Sequence, residues 1–214
     1  MGREFVDLFE KWAESYDTTV KGENIEYKDV FANYEAILNE VVKKSGAVVL
    51  EFGVGTGNLT KKLSQNNKIV FGIEPSKAMR DIARKKLGTS VSLLDGDFLT
   101  FPLPNMQVDT IVSTYAFHHL TKEEKAKAIG IYGRILHKGG KIVFADTAFI
   151  NQEIFEEMVK ESKSKHFLKL AADLETEYYS THIDLSNIFG QNGFQITFTQ
   201  MNRFVWLIEA EKME

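Results

Sequence analysis

The sequence predicts an α/β fold: a doubly wound, mostly parallel sheet of about seven strands with helices on both faces. Two observations lead to this fold class. Short apolar runs, typical of buried strands, alternate with amphipathic helical segments between residues 47 and 146. This alternation is typical of right-handed β–α–β units and a parallel sheet. The last two apolar runs are separated by only three residues, so they are expected to pair as an antiparallel hairpin.

The elements can be assigned in order along the chain. Two amphipathic helices come first, one from Phe5 to Tyr16 and one from Val30 to about Ser45. Thr121 and Glu124 form the Thr-x-x-Glu pattern that caps a helix N-terminus. Residues 151–190 are predicted to be helical. The predicted strands are 47–52, 68–73, 90–94, 108–113, 141–146, 194–200 and 204–211, and the helices between the first five are 58–65, 76–87 and 121–137.

The domain organisation is predicted to be a single domain over residues 1–214. All three prolines lie between residues 75 and 104, and no Pro-, Gly- or Ser-rich linker divides the chain. Within the domain we expect four parts. These are an N-terminal helical cap (1–45), a cofactor-binding core (46–146), a helical insert or cap (147–192) and a C-terminal hairpin (193–214).

Composition and charge exclude several classes of function. The 214-residue chain has a net charge of −4, which disfavours a nucleic-acid partner. The absence of cysteine excludes disulfides, thiolate metal sites and cysteine nucleophiles. No apolar run approaches the roughly 18 residues of a membrane span, and no targeting signal is present. We therefore expect a cytoplasmic protein with no membrane partner, as a monomer or homodimer.

A glycine-rich turn is the most informative motif. Gly53, Gly55 and Gly57 follow the first predicted strand and open a helix, where backbone N–H groups and the helix dipole favour an anionic ligand group. Glu74 ends the next strand, about 20 residues beyond Gly53, which is the offset expected of a carboxylate that binds a ribose diol. A purely structural glycine turn remains an alternative.

Two positions disfavour a dinucleotide. The dinucleotide fingerprint needs glycine at position 58, where this chain has Asn58. Glu51, two residues before Gly53, would repel a pyrophosphate but attract an ammonium group. A ligand with a ribose, an amine and a carboxylate but no phosphate fits S-adenosyl-L-methionine, whose product is S-adenosyl-L-homocysteine.

These motifs together resemble those of class I S-adenosylmethionine-dependent methyltransferases, which have a Rossmann-like fold. The motifs are 51–57, Glu74, 95–98 and 113–119, in that order. The whole chain also resembles the YrrT-like group of bacterial methyltransferases, through segments 12–17, 53–59, 71–75, 115–120 and 144–147.

The resemblance implies a role for each matching residue of the cofactor site. Asp97 could instead be a loop or helix-capping carboxylate, and Tyr16 could simply pack in the core. The implied roles are Glu51 and Gly53 at the methionine amino group, Gly55 in the turn, Glu74 at the ribose hydroxyls, Asp97 and Phe98 at the adenine, Ser113 at the methionine moiety, and Tyr16 closing over the cofactor.

Methyl transfer needs alignment of the acceptor and, for a protonated nucleophile, a base. His118, His119 or Tyr115 could supply that base, because they follow the fourth strand at the ligand-binding edge. We expect a small-molecule acceptor in a pocket walled by Tyr16, Tyr115, His118, Asp146 and Tyr178 or Tyr179. Alternative functions are a dinucleotide-dependent oxidoreductase and a non-catalytic cofactor-binding protein.

No metal site is predicted. His118 and His119 are adjacent in sequence and do not share a helix face at i, i+4 spacing, and the chain has no His-Glu-x-x-His motif.

Overall fold

The computed structural model describes residues 5–89 and 91–214 and confirms the predicted α/β architecture. The predicted start of the third strand at Ser90 lies outside the described residues. The helices are α1 (Val6–Trp12), α2 (Tyr16–Thr18), α3 (Tyr34–Lys44), α4 (Asn58–Gln65), α5 (Lys77–Leu87), α6 (Lys122–Ile135), α7 (Gln152–Ser164), α8 (Leu168–Thr176) and α9 (His182–Gln191). The strands are β1 (Val48–Phe52), β2 (Ile69–Ile73), β3 (Ser92–Leu94), β4 (Thr110–Thr114), β5 (Lys141–Phe149), β6 (Ser180–Thr181), β7 (Phe194–Gln200) and β8 (Val205–Lys212).

The main sheet has the order β3-β2-β1-β4-β5-β8-β7. The first five strands are parallel, while β8 runs antiparallel to both β5 and β7, as the short connection at 201–203 requires. The chain order reverses between β1 and β4, which places a crevice at the carboxyl ends of these two strands.

Both faces of the central strand β1 are buried. Successive side chains of a strand point to opposite faces, and here each set packs against helices. On one face Val49 packs with Ile37, Leu38 and Val41 of α3. On the other face lie Leu50 and Phe52 of β1, which pack with residues of α6 such as Ile129 and Tyr132. Fully buried parallel strands explain why the apolar runs are nearly continuous in the sequence.

The N-terminal segment, defined here as residues 5–33, differs from the predicted pair of long helices. The first helix ends at Trp12, and a turn separates it from the short α2. The hydroxyls of Thr18 and Thr19 both donate to the carbonyl of Ser15, at 2.8 and 3.1 Å. Such side-chain hydrogen bonds compete with regular helix formation.

The second helix begins at Tyr34, four residues later than predicted. Asn33 has a φ of 63°, in the left-handed region, and so it cannot continue a right-handed helix from Val30. The irregular backbone before Asn33 is held by Asn202 in the turn between β7 and β8. The Asn202 amide donates to the carbonyls of Val30 and Ala32, at 2.9 and 2.8 Å.

Strand β5 is longer than predicted and continues past Asp146 to Phe149. It pairs with β8 as far as Thr147, opposite Val205, and then with β6, which the sequence did not predict. Asp146 therefore lies inside a strand and not at its end. Pairing with β6 brings the chain around residue 180 back to the edge where the parallel strands end.

We expect Asn202→Ala to lower the free energy of unfolding by about 2 kcal/mol, because two carbonyls and the amides of Phe204 and Val205 would lose their partner. Urea denaturation measures this change. Asn66→Ala is the control, since the Asn66 amide makes one exposed hydrogen bond, to the Lys62 carbonyl. An equal effect in both variants would contradict the role of Asn202.

Candidate active site

A cavity, called here the first cavity, opens at the carboxyl ends of β1, β2 and β4. Its walls combine the glycine-rich turn, the ends of the strands and the N-terminal segment. The lining residues are Phe5, Val6, Phe9, Tyr16, Gly53, Gly55, Glu74, Pro75, Met79, Asp97, Phe98, Thr114, Tyr115, Ala116, His119 and Leu120.

The glycine-rich turn allows close approach to its backbone. Gly53 and Gly55 have φ values of 68° and 56°, which L side chains rarely adopt. A Cβ atom on Gly53 would lie 2.7 Å from the Ala116 Cβ, whereas one on Gly55 would meet no atom within 4 Å. Gly53 is therefore required by packing against the loop after β4, and Gly55 leaves space at the cavity.

Glu74 is buried at the wall of the first cavity, and both its carboxylate oxygens accept backbone hydrogen bonds. Oε2 accepts from the Gly55 amide and Oε1 from the Ser76 amide, each at 2.8 Å. Burial raises the pKa of Glu74 to about 7, although these amides favour the ionised form. The carboxylate is thus oriented, and each oxygen keeps a further lone pair for a ligand hydroxyl.

Asp97 and Phe98, which follow β3, also line the first cavity. The Asp97 Oδ1 accepts from the backbone amides of Leu99 and Thr100, both at 2.9 Å. Asp97 thus stabilises its own loop, as the alternative interpretation suggested, and it also lines the cavity.

Glu51 and Ser113, two of the predicted cofactor-binding residues, are not in the lining of the first cavity. Both are 1% exposed. Glu51 Oε2 and Ser113 Oγ have no hydrogen-bond partner among the described residues. Burial raises the pKa of Glu51 to about 8. An unpartnered buried carboxyl oxygen beside the cavity is consistent with a cationic ligand group, because such atoms are rarely left unsatisfied.

The N-terminal segment is fastened to the glycine-rich turn and the adjoining helices by polar contacts of Asp17. Its carboxylate accepts from Thr56 Oγ1 at 2.6 Å and from the Asn58 amide at 3.1 Å, and it pairs with Lys86 at 2.8 Å. The Asn58 amide also donates to the Tyr34 hydroxyl at 3.2 Å. These contacts hold Tyr16 against the first cavity.

A second cavity adjoins the first. The two share four lining residues: Phe9, Tyr16, Tyr115 and His119. The remaining walls are largely aromatic and carry two carboxylates but no lysine or arginine. They are formed by Trp12, Tyr27, Val30, Phe31, His118, Thr147, Leu170, Asp173, Leu174, Glu177, Tyr179 and Phe204.

His118 is held between two carboxylates at the wall of the second cavity. Its Nδ1 hydrogen-bonds to Asp146 Oδ1, and its Nε2 lies 3.4 Å from Glu177 Oε2. Burial alone would lower the pKa of His118, but Asp146 and Glu177 outweigh this effect and raise it above its usual value. Glu177 in turn accepts a hydrogen bond from the Tyr179 hydroxyl.

His119 and Tyr115, the other candidate bases, are in different electrostatic environments. Burial, together with the neighbouring His118, lowers the pKa of His119 well below its usual value, and its Nδ1 has no hydrogen-bond partner among the described residues. Burial and the nearby Tyr34 raise the pKa of Tyr115 well above its usual value. Tyr115 thus remains protonated near neutral pH, and its buried hydroxyl has no hydrogen-bond partner among the described residues.

Two residues expected in the acceptor pocket line neither cavity. Asp146 lies behind His118, because β5 continues beyond it and its side chain also accepts from the His118 amide at 3.0 Å. The backbone of Tyr178 instead contacts the segment after β4 and helix α6. Its N–H donates to the His118 carbonyl at 3.0 Å, and its carbonyl accepts from Lys125. Tyr179, the other candidate, does line the second cavity.

Glu177, Asp173 and Tyr27 were missed by the sequence analysis. The first two follow a run of charged residues that is typical of a solvated helix face. The adjacent Tyr178-Tyr179 pair was the only nearby signal. Glu177 lies close enough to the histidine pair that the donor atoms of His118, His119 and Glu177 are all within 4.8 Å of one another. The expectation that the chain binds no metal stays a prediction, although these three side chains have donor atoms that one ion could use.

None of the helices in the described part of the chain combines the length and apolar character that crossing a bilayer requires.

Comparison with known proteins identifies relatives along the whole chain. A family model described as a methyltransferase domain matches residues 49–140. An uncharacterized methyltransferase of Anoxybacillus flavithermus is 64% identical, over 99% of this chain and 100% of the relative. One from a Geobacillus species is 60% identical over the same shares.

Two solved structures share the fold at low sequence identity. Magnesium protoporphyrin IX methyltransferase of Synechocystis PCC 6803, with bound S-adenosylhomocysteine, matches with a TM-score of 0.73 and 20% identity over 96% of this chain and 97% of that one. An S-adenosylmethionine-dependent methyltransferase of Thermotoga maritima, described as a possible histamine N-methyltransferase, matches with a TM-score of 0.70 and 19% identity over 98% and 100%. With the full-length relatives and the matching domain, the conclusion is that the chain belongs to the methyltransferases and has the fold of S-adenosylmethionine-dependent members.

Proposed function

We propose that this enzyme transfers the methyl group of S-adenosylmethionine to a small molecule, with the cofactor in the first cavity and the acceptor in the second. The observation that carries the proposal is the wall that the two cavities share at Tyr16, Tyr115 and His119. A donor in the first cavity and an acceptor in the second would lie next to each other at this shared boundary.

The residues of the first cavity suit each part of the cofactor. The oriented carboxylate of Glu74 can accept hydrogen bonds from both ribose hydroxyls. Asp97 and Phe98 lie where the adenine would bind, with Met79 providing apolar contact. The unpartnered oxygen of Glu51 would pair with the methionine ammonium group after a small movement toward the cavity. The residues at and near the first cavity thus fit S-adenosylmethionine.

The chemistry needs mainly alignment. The acceptor atom attacks the methyl carbon, the carbon–sulfur bond breaks, and a protonated acceptor releases a proton. Aligning the two reactants can lower the barrier by several kcal/mol, up to roughly 10. Tyr115 would donate a hydrogen bond at the shared wall. The Nε2 of His118, whose Nδ1 is held by Asp146, is available to accept a proton or bind a cation.

The second cavity favours a small acceptor over a polymer. The N-terminal segment contributes Trp12, Tyr27 and Phe31 to its walls, and α8 contributes Leu174. The carboxylates of Asp173 and Glu177 would repel a phosphate backbone.

Gly55→Ala is expected to abolish or strongly weaken binding of S-adenosylhomocysteine, because the new methyl group would occupy open space at the first cavity. The substitution also strains the backbone, by about 1–2 kcal/mol. Gly88→Ala is a matched control: Gly88 has a φ of 68°, a Cβ there would also meet nothing within 4 Å, and it ends α5 away from the cavity. Calorimetry that found equal affinities in the two variants would argue against the cofactor site.

Ionisation of Glu74 alone should raise the affinity for S-adenosylhomocysteine about 10-fold between pH 6 and pH 8. Glu74, with a pKa of about 7 in the protein without ligand, is mostly protonated at pH 6, and ribose hydroxyls favour its ionised form. Binding near pH 7 therefore releases protons, which calorimetry in buffers of different ionisation enthalpy detects. Glu51, with a pKa of about 8, changes the affinity in the same direction.

In Glu74→Gln this pH dependence should become shallower, and binding at pH 8 should weaken by about 1–3 kcal/mol. The control is Glu157→Gln, which changes an exposed carboxylate of α7. A wild-type pH profile in Glu74→Gln would exclude Glu74 as the ribose ligand.

Methyl transfer from labelled S-adenosylmethionine into an extract should label the fraction below about 1 kDa. The substitution Val30→Phe should partly fill the second cavity and reduce this methyl transfer at least 10-fold. The affinity for S-adenosylhomocysteine should stay unchanged, because Val30 lines the second cavity and not the first. Label that appears instead in protein or nucleic acid would show that the acceptor is not a small molecule.

A further inference from the structure

The wall of the second cavity contains three potential metal ligands that no part of methyl transfer requires together. His118 and His119 come from the turn after β4, and Glu177 follows α8. The chain brings them together from positions almost 60 residues apart in sequence, through the hydrogen bond between the Tyr178 amide and the His118 carbonyl and the pairing of β6 with β5.

We propose that His118 Nε2, His119 Nδ1 and the Glu177 carboxylate bind one divalent first-row transition-metal ion, such as Zn²⁺ or Fe²⁺. Two imidazoles and one carboxylate form a ligand set that suits these ions better than Mg²⁺ or Ca²⁺, which prefer oxygen ligands alone.

The distances between the ligand atoms fit one ion. Two ligands at about 2.1 Å from a tetrahedral ion lie roughly 3.4 Å apart. His118 Nε2 lies 3.4 Å from Glu177 Oε2, and His119 Nδ1 lies 3.8 Å from Glu177 Oε1. All the donor atoms are within 4.8 Å of one another, so small side-chain movements would complete the geometry.

Hydrogen bonds from neighbouring side chains already orient two of the three proposed ligands. The His118 Nδ1 bonds to Asp146, which leaves Nε2 toward Glu177, as in carboxylate–histidine–metal arrangements. The Tyr179 hydroxyl bonds to Glu177 and holds its carboxylate. The third ligand atom, His119 Nδ1, is buried without a hydrogen-bond partner among the described residues, and a metal ion would satisfy it.

The surrounding charge also favours a cation. Within the described residues the carboxylates of Asp146, Asp173 and Glu177 surround the histidine pair, and Lys125 is the nearby ammonium group. Lys125 is engaged by the Tyr178 carbonyl and by Ser180 Oγ, at 2.8 Å for the latter.

The metal site deepens the proposed function and rests on it for its role. His119 lines both cavities, so the ion would lie beside the space where donor and acceptor meet. With three protein ligands, it would keep a coordination position open. An acceptor bound there through an oxygen, nitrogen or sulfur atom would be oriented, and its proton would be released more easily.

The experiment is titration of tag-free, chelator-treated full-length protein with Co²⁺, a spectroscopic substitute for Zn²⁺. We expect about one equivalent to bind, with visible absorption typical of a site of low coordination number. Glu177→Gln and His119→Ala should each weaken Co²⁺ binding at least 100-fold. His166→Ala and Glu175→Gln, which remove an exposed histidine and an exposed carboxylate, should bind like wild type.

Binding of S-adenosylhomocysteine, measured in the same samples, separates this proposal from the proposed function. Glu177→Gln should retain it, because Glu177 does not line the first cavity. If S-adenosylhomocysteine binds but Co²⁺ does not, or if Co²⁺ affinity is equal in Glu177→Gln and Glu175→Gln, the metal site is wrong and the methyltransferase proposal stands. If Co²⁺ binds but S-adenosylhomocysteine does not, the metal site stands and the cofactor assignment fails.

Discussion

Burial of carboxylates within the parallel strands and directly after them is the constraint on which the candidate site depends. Glu51, Glu74 and Asp146 are each at most 5% exposed. A carboxylate in such a place is costly unless hydrogen bonds or cations compensate it. Glu74 is compensated by backbone amides and Asp146 by His118. Glu51 lacks such a partner at Oε2 among the described residues. The fold thus leaves specific places at which a cationic or hydrogen-donating ligand group stabilises it.

The first cavity was largely predictable from the sequence because its residues are local to strand ends. Gly53 and Gly55 form the turn after β1, Glu74 follows β2, and Asp97 follows β3. Parallel strands bring their carboxyl ends to one edge, so the order of motifs is enough to place these side chains together. Glu51 and Ser113 were predicted at this edge for the same reason. They lie within β1 and β4, however, and their side chains are buried.

The second cavity could be predicted only in part, because its walls depend on contacts between distant segments. The two-residue strand β6 is too short to leave a sequence pattern, yet it helps to place Glu177 and Tyr179 beside His118. The left-handed residue Asn33 delays α3 and leaves an irregular stretch that carries Tyr27, Val30 and Phe31 into the cavity wall. Backbone conformations of this kind depend on tertiary contacts, such as those of Asn202, more than on local propensity.

The side chain of Asn58 links the start of α4, beside the glycine-rich turn, to the N-terminal segment. It occupies the position at which dinucleotide-binding turns have glycine, and here it bonds to Asp17, Tyr34 and Lys86. A return to glycine would free space at the helix start and also remove an attachment of the N-terminal segment. Space at the start of α4 and attachment of the N-terminal segment therefore depend on one residue, and a lineage could not readily change the first without loosening the second.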